Sequence, residues 1–293
     1  MPKRKPRNQD DEPLLFQLPN SVLPEVKVKP PTHPIWTENK AKLIERYLYY
    51  FVLVTKHGAY IDGFAGPQNP KDPNTWAAKL VLESEPRWLR QFHLFDRSRK
   101  QLGYLNDLKR SHPDRDVDIY KGDFNQRALE LLNKGKIKQN EAAFCLLDQR
   151  TFECHWSTLQ ALATYKKLGN KVELFYFLPR YWLSRALAAQ QDTVALEKWW
   201  GRQGNWGALR RMGRNEFLQL VVERFRKDLG YRSVIPWPIY KSEKGKTVMY
   251  YMIHATDHPG APALMARAYE KAVLPKEPLE QMALEFGLQP YKP

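Results

Sequence analysis

Tyr60-Ile61-Asp62-Gly63-Phe64-Ala65-Gly66-Pro67 decides the fold of this chain, because the strand-forming residues Ala59-Tyr60-Ile61 run straight into a turn that holds two glycines. Gly63 and Gly66 allow a tight turn and a close approach of backbone to a ligand, and Asp62 stands where a carboxylate can meet a cationic amino group. Ligands of open parallel sheets sit beyond the carboxyl ends of the strands, so this turn, with Phe64 and Ala65 inside it, reads as a cofactor loop. A two-glycine turn is a weak signal alone, and its meaning depends on what surrounds it.

Around it, strand and helix alternate. Phe92 to Phe95, Val117 to Tyr120, Ala143 to Leu147 and Val172 to Phe177 read as further strands, and Lys100 to Lys109, Gln126 to Leu132 and Ser157 to Lys167 carry helical periodicity between them. That alternation implies a mostly parallel sheet with helices on both faces. Upstream, Thr37 can cap a helix starting at Glu38, in which Leu43, Ile44, Tyr47, Leu48, Phe51 and Val52 recur at helical spacing. Downstream, Ser233 to Ile239 and Thr247 to His254 flank the turn Glu243-Lys244-Gly245-Lys246 and predict a hairpin, and Pro262 to about Val273 predicts a final helix. A parallel sheet ending in an antiparallel hairpin fits a Rossmann-like class I methyltransferase better than a plain dehydrogenase, by analogy of fold.

The next strand ends repeat the acidic theme. Asp96 stands where a carboxylate takes the hydroxyls of a ribose in nucleotide-binding folds, with a helix cap before Ser98-Arg99 as its structural alternative. Asp123 and Phe124 offer hydrogen bonding and stacking to an adenine. Asp148-Gln149-Arg150-Thr151-Phe152 ends the fourth strand, where enzymes that methylate a base amino group place an Asp- or Asn-Pro-Pro-Tyr/Phe turn. Asp148 is therefore predicted to orient an amine and Phe152 to stack on an extruded base. Gln149 and Arg150 replace the prolines, so Arg150 either meets a phosphate or pairs with Asp148.

Composition sets the outer limits. The 293 residues are 43% hydrophobic, enough for one large α/β core, and carry a formal net charge of +15 with a pI near 9.6, which favours polyanionic partners. Cys145 and Cys154 alone make neither a disulfide scaffold nor a zinc ribbon, and His155 beside Cys154 points to the other face of an extended chain, so no metal site is expected. The longest apolar run, Tyr47 to Val54, is too short to cross a bilayer, and no signal peptide opens the chain, which predicts a cytoplasmic protein without membrane contact. Residues 1–32 read as a disordered basic, Pro-rich arm, 33–275 as one domain and 276–293 as a C-terminal tail. Within the domain, about 190–230 reads as a basic, Trp-rich helical insertion.

From Lys198 to Arg232 there are nine Lys or Arg against three Asp or Glu. Trp199, Trp200 and Trp206 lie among Arg202, Arg210, Arg211 and Arg214, a mixture of rings and cations suited to a nucleic-acid strand. The structural alternative is that the tryptophans anchor the insertion and the arginines are solvated, since Phe217, Leu220, Val221 and Phe225 form an apolar helical face. Trp182 and Arg185 are candidates for the same cleft.

Taken together, these residues resemble the three-Cys-motif partner protein family over about His33 to Val273. The resemblance rests on Trp36-Thr37-Glu38-Asn39-Lys40, the loop Tyr60 to Pro67, Leu147-Asp148 with Trp156-Ser157-Thr158-Leu159, Arg224-Phe225 with Leu229-Gly230-Tyr231, and Tyr250 to Pro259. It implies a class I methyltransferase-like fold and, as partner, a three-Cys-motif protein with a radical-enzyme-like cysteine motif. Where the family has Asp-Pro-aromatic-Gly after the fourth strand this chain has Asp148-Gln149-Arg150-Thr151, and Gln68 stands where a glycine is typical.

The expected activity is S-adenosylmethionine-dependent methyl transfer to a base amino group of DNA or RNA. Two alternatives stay open: a methyltransferase-like binding module that recognises nucleic acid or a partner protein, and a metal-dependent nuclease built on the acidic strand ends.

Overall fold

The computed structural model describes residues 37–178, 193–202, 206–240 and 248–272. The predicted arm and tail, Trp182, Arg185 and the turn Glu243 to Lys246 lie outside them. In chain order the elements are α1 (Thr37–Thr55), β1 (Gly58–Asp62), a 3-10 turn (Pro73–Thr75), α2 (Ala77–Glu83), β2 (Leu89–Asp96), α3 (Arg99–Ser111), β3 (Asp116–Lys121), α4 (Phe124–Asn133), β4 (Ala143–Leu147) and α5 (Trp156–Tyr165), followed by β5 (Glu173–Leu178), α6 (Thr193–Trp200), α7 (Trp206–Arg211), α8 (Arg214–Lys227), β6 (Ser233–Tyr240), β7 (Val248–Thr256) and α9 (Ala261–Lys271).

The seven strands form one sheet in the order β3-β2-β1-β4-β5-β7-β6. β1 to β5 pair in parallel, and β7 runs antiparallel to both β5 and β6. The predicted hairpin is present, and its second strand, β7, lies between β5 and β6. Pro236 and Pro238 explain this. Both lack an N–H, and residues two apart in a strand point their backbone groups to the same side, so that side of β6 cannot carry a ladder and the strand must be an edge.

β1, β4 and β5 are buried at every position, which is why their sequences read as continuous apolar runs. One face of the sheet is covered by α1, α2, α3 and α9 through a core that includes Leu43, Tyr47, Leu102, Leu105 and Leu264. The other face is covered by α4, α5, α6 and α8 through Leu131, Leu159, Trp199, Phe217 and Phe225. Between β3 and β4 the chain crosses from one side of β1 to the other. That reversal opens a crevice at the carboxyl ends of β1 and β4, the usual place for a ligand in such sheets.

Candidate functional site

A cavity of about 790 Å³ occupies that crevice, within the range of ordinary ligand sites. Gly63, Phe64 and Gly66 from the turn after β1, Asp96 after β2, Asp123 and Phe124 after β3, and Asp148, Arg150 and Phe152 after β4 all line it. Thus nine of the residues singled out from sequence share one wall system. Val194, Ala195, Leu196 and Lys198 of α6 close one side.

The loop after β1 is tied down from several directions. Asp62, only 2% exposed, lies beneath the loop and is not on the lining. Its Oδ1 accepts from the Phe64 amide at 3.1 Å and its Oδ2 from the Tyr60 hydroxyl at 2.8 Å. Burial pushes the Asp62 carboxyl up to about 7 against the pull of those two donors, and the charges of Asp148 and Asp96 push the same way. Ala65, also buried, donates its N–H to Phe95 O and accepts from Trp76 Nε1, so it too holds the loop from behind. Gly66 is required by contact: a Cβ there would stand 2.5 Å from both Asp96 Oδ2 and Gln101 Cβ.

Asp96 links the first two strand ends. Its Oδ2 accepts from Gly66 N at 3.2 Å and its Oδ1 from Ser98 N at 2.8 Å, while Ser98 itself caps α3. Asp123 caps α4, accepting from Asn125 N at 2.7 Å. Gly122, at φ 132°, lets β3 turn into that cap, a conformation in which a side chain would be strained. Phe124 is 4% exposed and packs edge-on to Phe95.

Two polar residues to which the sequence alone assigns no role organise the β4 turn. Asn125 accepts from His155 N and Thr158 Oγ1 and donates to Glu153 O, joining the ends of β3 and β4. Gln149, 1% exposed, donates to Phe177 O at 3.0 Å and accepts from Cys154 N at 2.8 Å. Its amide does by hydrogen bonding what a rigid proline would do by covalent restraint. A polar side chain replacing an expected proline in a turn is the signal that pointed to it.

Asp148 is paired, but not with Arg150. Lys40 of α1, itself 5% exposed, donates to Asp148 Oδ2, and Gln68 Nε2 lies 3.3 Å from the same oxygen. Burial pulls the Lys40 ammonium down, yet Asp148, Tyr250 and Asp62 outweigh it and leave Lys40 raised. Arg150 is exposed, and its backbone N–H is held by Glu153 Oε2. Phe152 meets Trp199 edge-on at 5.0 Å between ring centroids.

The basic segment divides in two. Trp199 and Trp200 are 3% and 5% exposed, so these rings are core and present no face to a base. Arg224, in the same segment, is stacked between Trp156 and Trp200 at 3.7 and 4.2 Å and donates to Trp200 O. Arg202, Arg211 and Arg214 are exposed, outside the cavity lining; the side chains of Trp206 and Arg210 lie outside the described residues.

Among the described residues no group of three or more His, Cys, Asp or Glu is arranged to hold a metal ion, and no described helix is long and apolar enough to cross a membrane. Cys145 and Cys154 are both buried, and burial pushes both thiols up. No protein-family model matches the chain, and no curated protein matches it.

Proposed function

We propose that this chain is an S-adenosylmethionine-dependent methyltransferase that acts on nucleic acid at an amino group of a base. The observation that carries the reading is the convergence of Asp96, Asp123 and Asp148, from three different strand ends, on one cavity at the reversal of strand order. A sheet containing an antiparallel strand beside β5 supports the class I methyltransferase fold over a plain dinucleotide-binding one.

The donor set suits the cofactor. Carboxylates at Asp96 and Asp123 accept from ribose hydroxyls and an adenine amino group, and the Phe124 and Phe64 rings supply apolar contact. The glycine at position 66 keeps Asp96 close to the loop, a place that a Cβ would fill. When bound, S-adenosylmethionine would supply an activated methyl group to the attacking nitrogen and leave as S-adenosylhomocysteine, with the nitrogen's surplus proton passing to solvent. The protein contributes alignment: Asp148 accepts an N–H of the acceptor amine and Phe152 stacks on its ring. The exposed Arg150, Arg202, Arg211 and Arg214 attract phosphates, and the site's protein partner is a three-Cys-motif protein.

A specific observation favours a second reading, a binding module without transfer chemistry: Asp148 Oδ2 is already occupied by Lys40 and Gln68. Calorimetry with S-adenosylmethionine and S-adenosylhomocysteine separates the two. Submillimolar binding supports the enzyme, and no heat at millimolar ligand overturns it. Magnesium-dependent cleavage of DNA or RNA points instead to a nuclease.

A further inference from the structure

Lys40 lies in α1, is not on the lining of the cavity and belongs to no strand end, yet its ammonium is buried and paired across 108 positions of sequence with Asp148. Taking an ammonium and a carboxylate out of water costs about what their attraction returns, so such a pair is weak evidence for a stabilising role and invites a role in orientation. The geometry supplies one. Lys40 Nζ and Gln68 Nε2 both approach Oδ2 of Asp148, and Oδ1 has no hydrogen-bond partner among the described residues. Asp148 keeps 16% side-chain exposure and lines the cavity. One oxygen is thus held by the buried Lys40 and by Gln68 at the cavity wall, and the other is left as the free acceptor.

An ionised carboxylate only accepts hydrogen bonds. A group seated against Oδ1 must therefore bring a proton to share, and an aromatic amine does so, attacking through its nitrogen and releasing a proton only after the new N–C bond has formed. A hydroxyl acceptor would need its proton removed as it attacks. The anchored carboxylate is arranged for the first task.

We infer that Lys40 is a positioning residue of the acceptor subsite: by holding Asp148 Oδ2 it leaves Oδ1 to accept the exocyclic N–H of the acceptor base. Adenine, cytosine and guanine qualify, whereas thymine and uracil do not. The inference rests on the methyltransferase reading and adds to it the residue that orients the accepting carboxylate.

The test uses the full chain loaded with S-adenosylhomocysteine and fluorescence anisotropy with short oligothymidines. Each probe carries one central adenine, cytosine or guanine, or its N,N-dimethylated counterpart, which has the same charge but no exocyclic N–H. For at least one base the N–H form should bind about fivefold or more tightly than the dimethylated form, the discrimination expected of a single buried hydrogen bond. In Asp148→Asn the amide oxygen turns to Lys40 and the amide N–H₂ faces the cavity, so the ratio should fall to about one or invert. In the K40M/D148N double variant the amide is free to rotate and carries no unpaired charge, so part of the ratio should return. A role confined to holding the fold would not produce that rescue.

Equal binding of both forms by the wild-type chain overturns the inference, as does a ratio that persists in Asp148→Asn or stays lost in the double variant. If S-adenosylhomocysteine itself does not bind, the methyltransferase reading fails first and the inference with it. If it binds and no oligonucleotide does, only the assignment of a base as acceptor fails.

Discussion

Gln68 Nε2 lies 3.3 Å from Asp148 Oδ2, so the residue that stands in place of a glycine after β1 touches the carboxylate that ends β4. The buried Lys40 meets the same oxygen. These two contacts differ in weight because their surroundings differ. Gln68 is exposed and its bond competes with water, whereas Lys40 has almost no water to return to. Gln68→Ala should therefore change the unfolding free energy by less than about 0.5 kcal/mol. Lys40→Met should cost about 2–4 kcal/mol, somewhat below the loss from a fully buried pair because Asp148 retains some solvent. Urea denaturation of both variants measures the contrast, and equal effects would show that the pair is not buried as described.

Asp62 makes stability depend on pH. The folded chain keeps its proton up to about 7, while the unfolded chain releases it near 3.8. Between those values the native state binds more protons, so this group's contribution to stability falls as pH rises. Asp62→Asn keeps an acceptor for the Phe64 amide and removes the titration. The variant should gain on the wild type through that window and exceed it by about 1 kcal/mol or more near pH 8. A difference between the two proteins that stays flat from about pH 4 to 8 would contradict the assignment.

Two glycines give opposite expectations. Gly66→Ala forces a methyl to within 2.5 Å of Asp96 Oδ2 and Gln101 Cβ, so the loop or the carboxylate must move. A loss of about 1–3 kcal/mol is expected, together with weakened S-adenosylhomocysteine binding. Gly103, inside α3, has no heavy atom within 4 Å of its ideal Cβ. Gly103→Ala should be neutral or stabilise by up to about 1 kcal/mol through helix propensity. Thermal melting and calorimetry on the pair separate a site effect from a general one.

The arginines of the basic segment should split the same way. Arg224→Ala removes a guanidinium stacked between two indoles and hydrogen-bonded to Trp200 O, and should cost about 2–4 kcal/mol of stability. Arg214→Ala, on an exposed position of α8, should leave stability within about 0.5 kcal/mol. If Arg214 meets a phosphate, its loss should reduce the slope of log affinity against log salt by about one. An unchanged slope removes Arg214 from the nucleic-acid surface.

Much of the architecture was legible in one dimension because it is local. The strands at Tyr60, Phe92, Val117, Ala143 and Leu174 announce themselves as short apolar runs, and the helices between them by periodicity, since both patterns repeat within a few residues. The position of β6 at an edge is also written locally, in Pro236 and Pro238, whose missing N–H groups bar a second ladder. The burial of Trp199 and Trp200 was not legible. A ring beside arginines has the same sequence signature whether it faces solvent or core, and only the packing of α6 against α5 and α8 decides.

By itself, then, the sequence determined which segments are strands and helices and which carboxylates stand at the strand ends, because these follow from spacing along the chain. The tertiary structure decided that Asp96, Asp123 and Asp148 share one cavity, that Asp62 lies beneath it, and that Lys40 and not Arg150 is the cation on Asp148. The physical reason is that charges pair by distance in space. Packing α1 across the sheet brings Lys40 to Asp148, while the β4 turn points Arg150, only two residues away, into water.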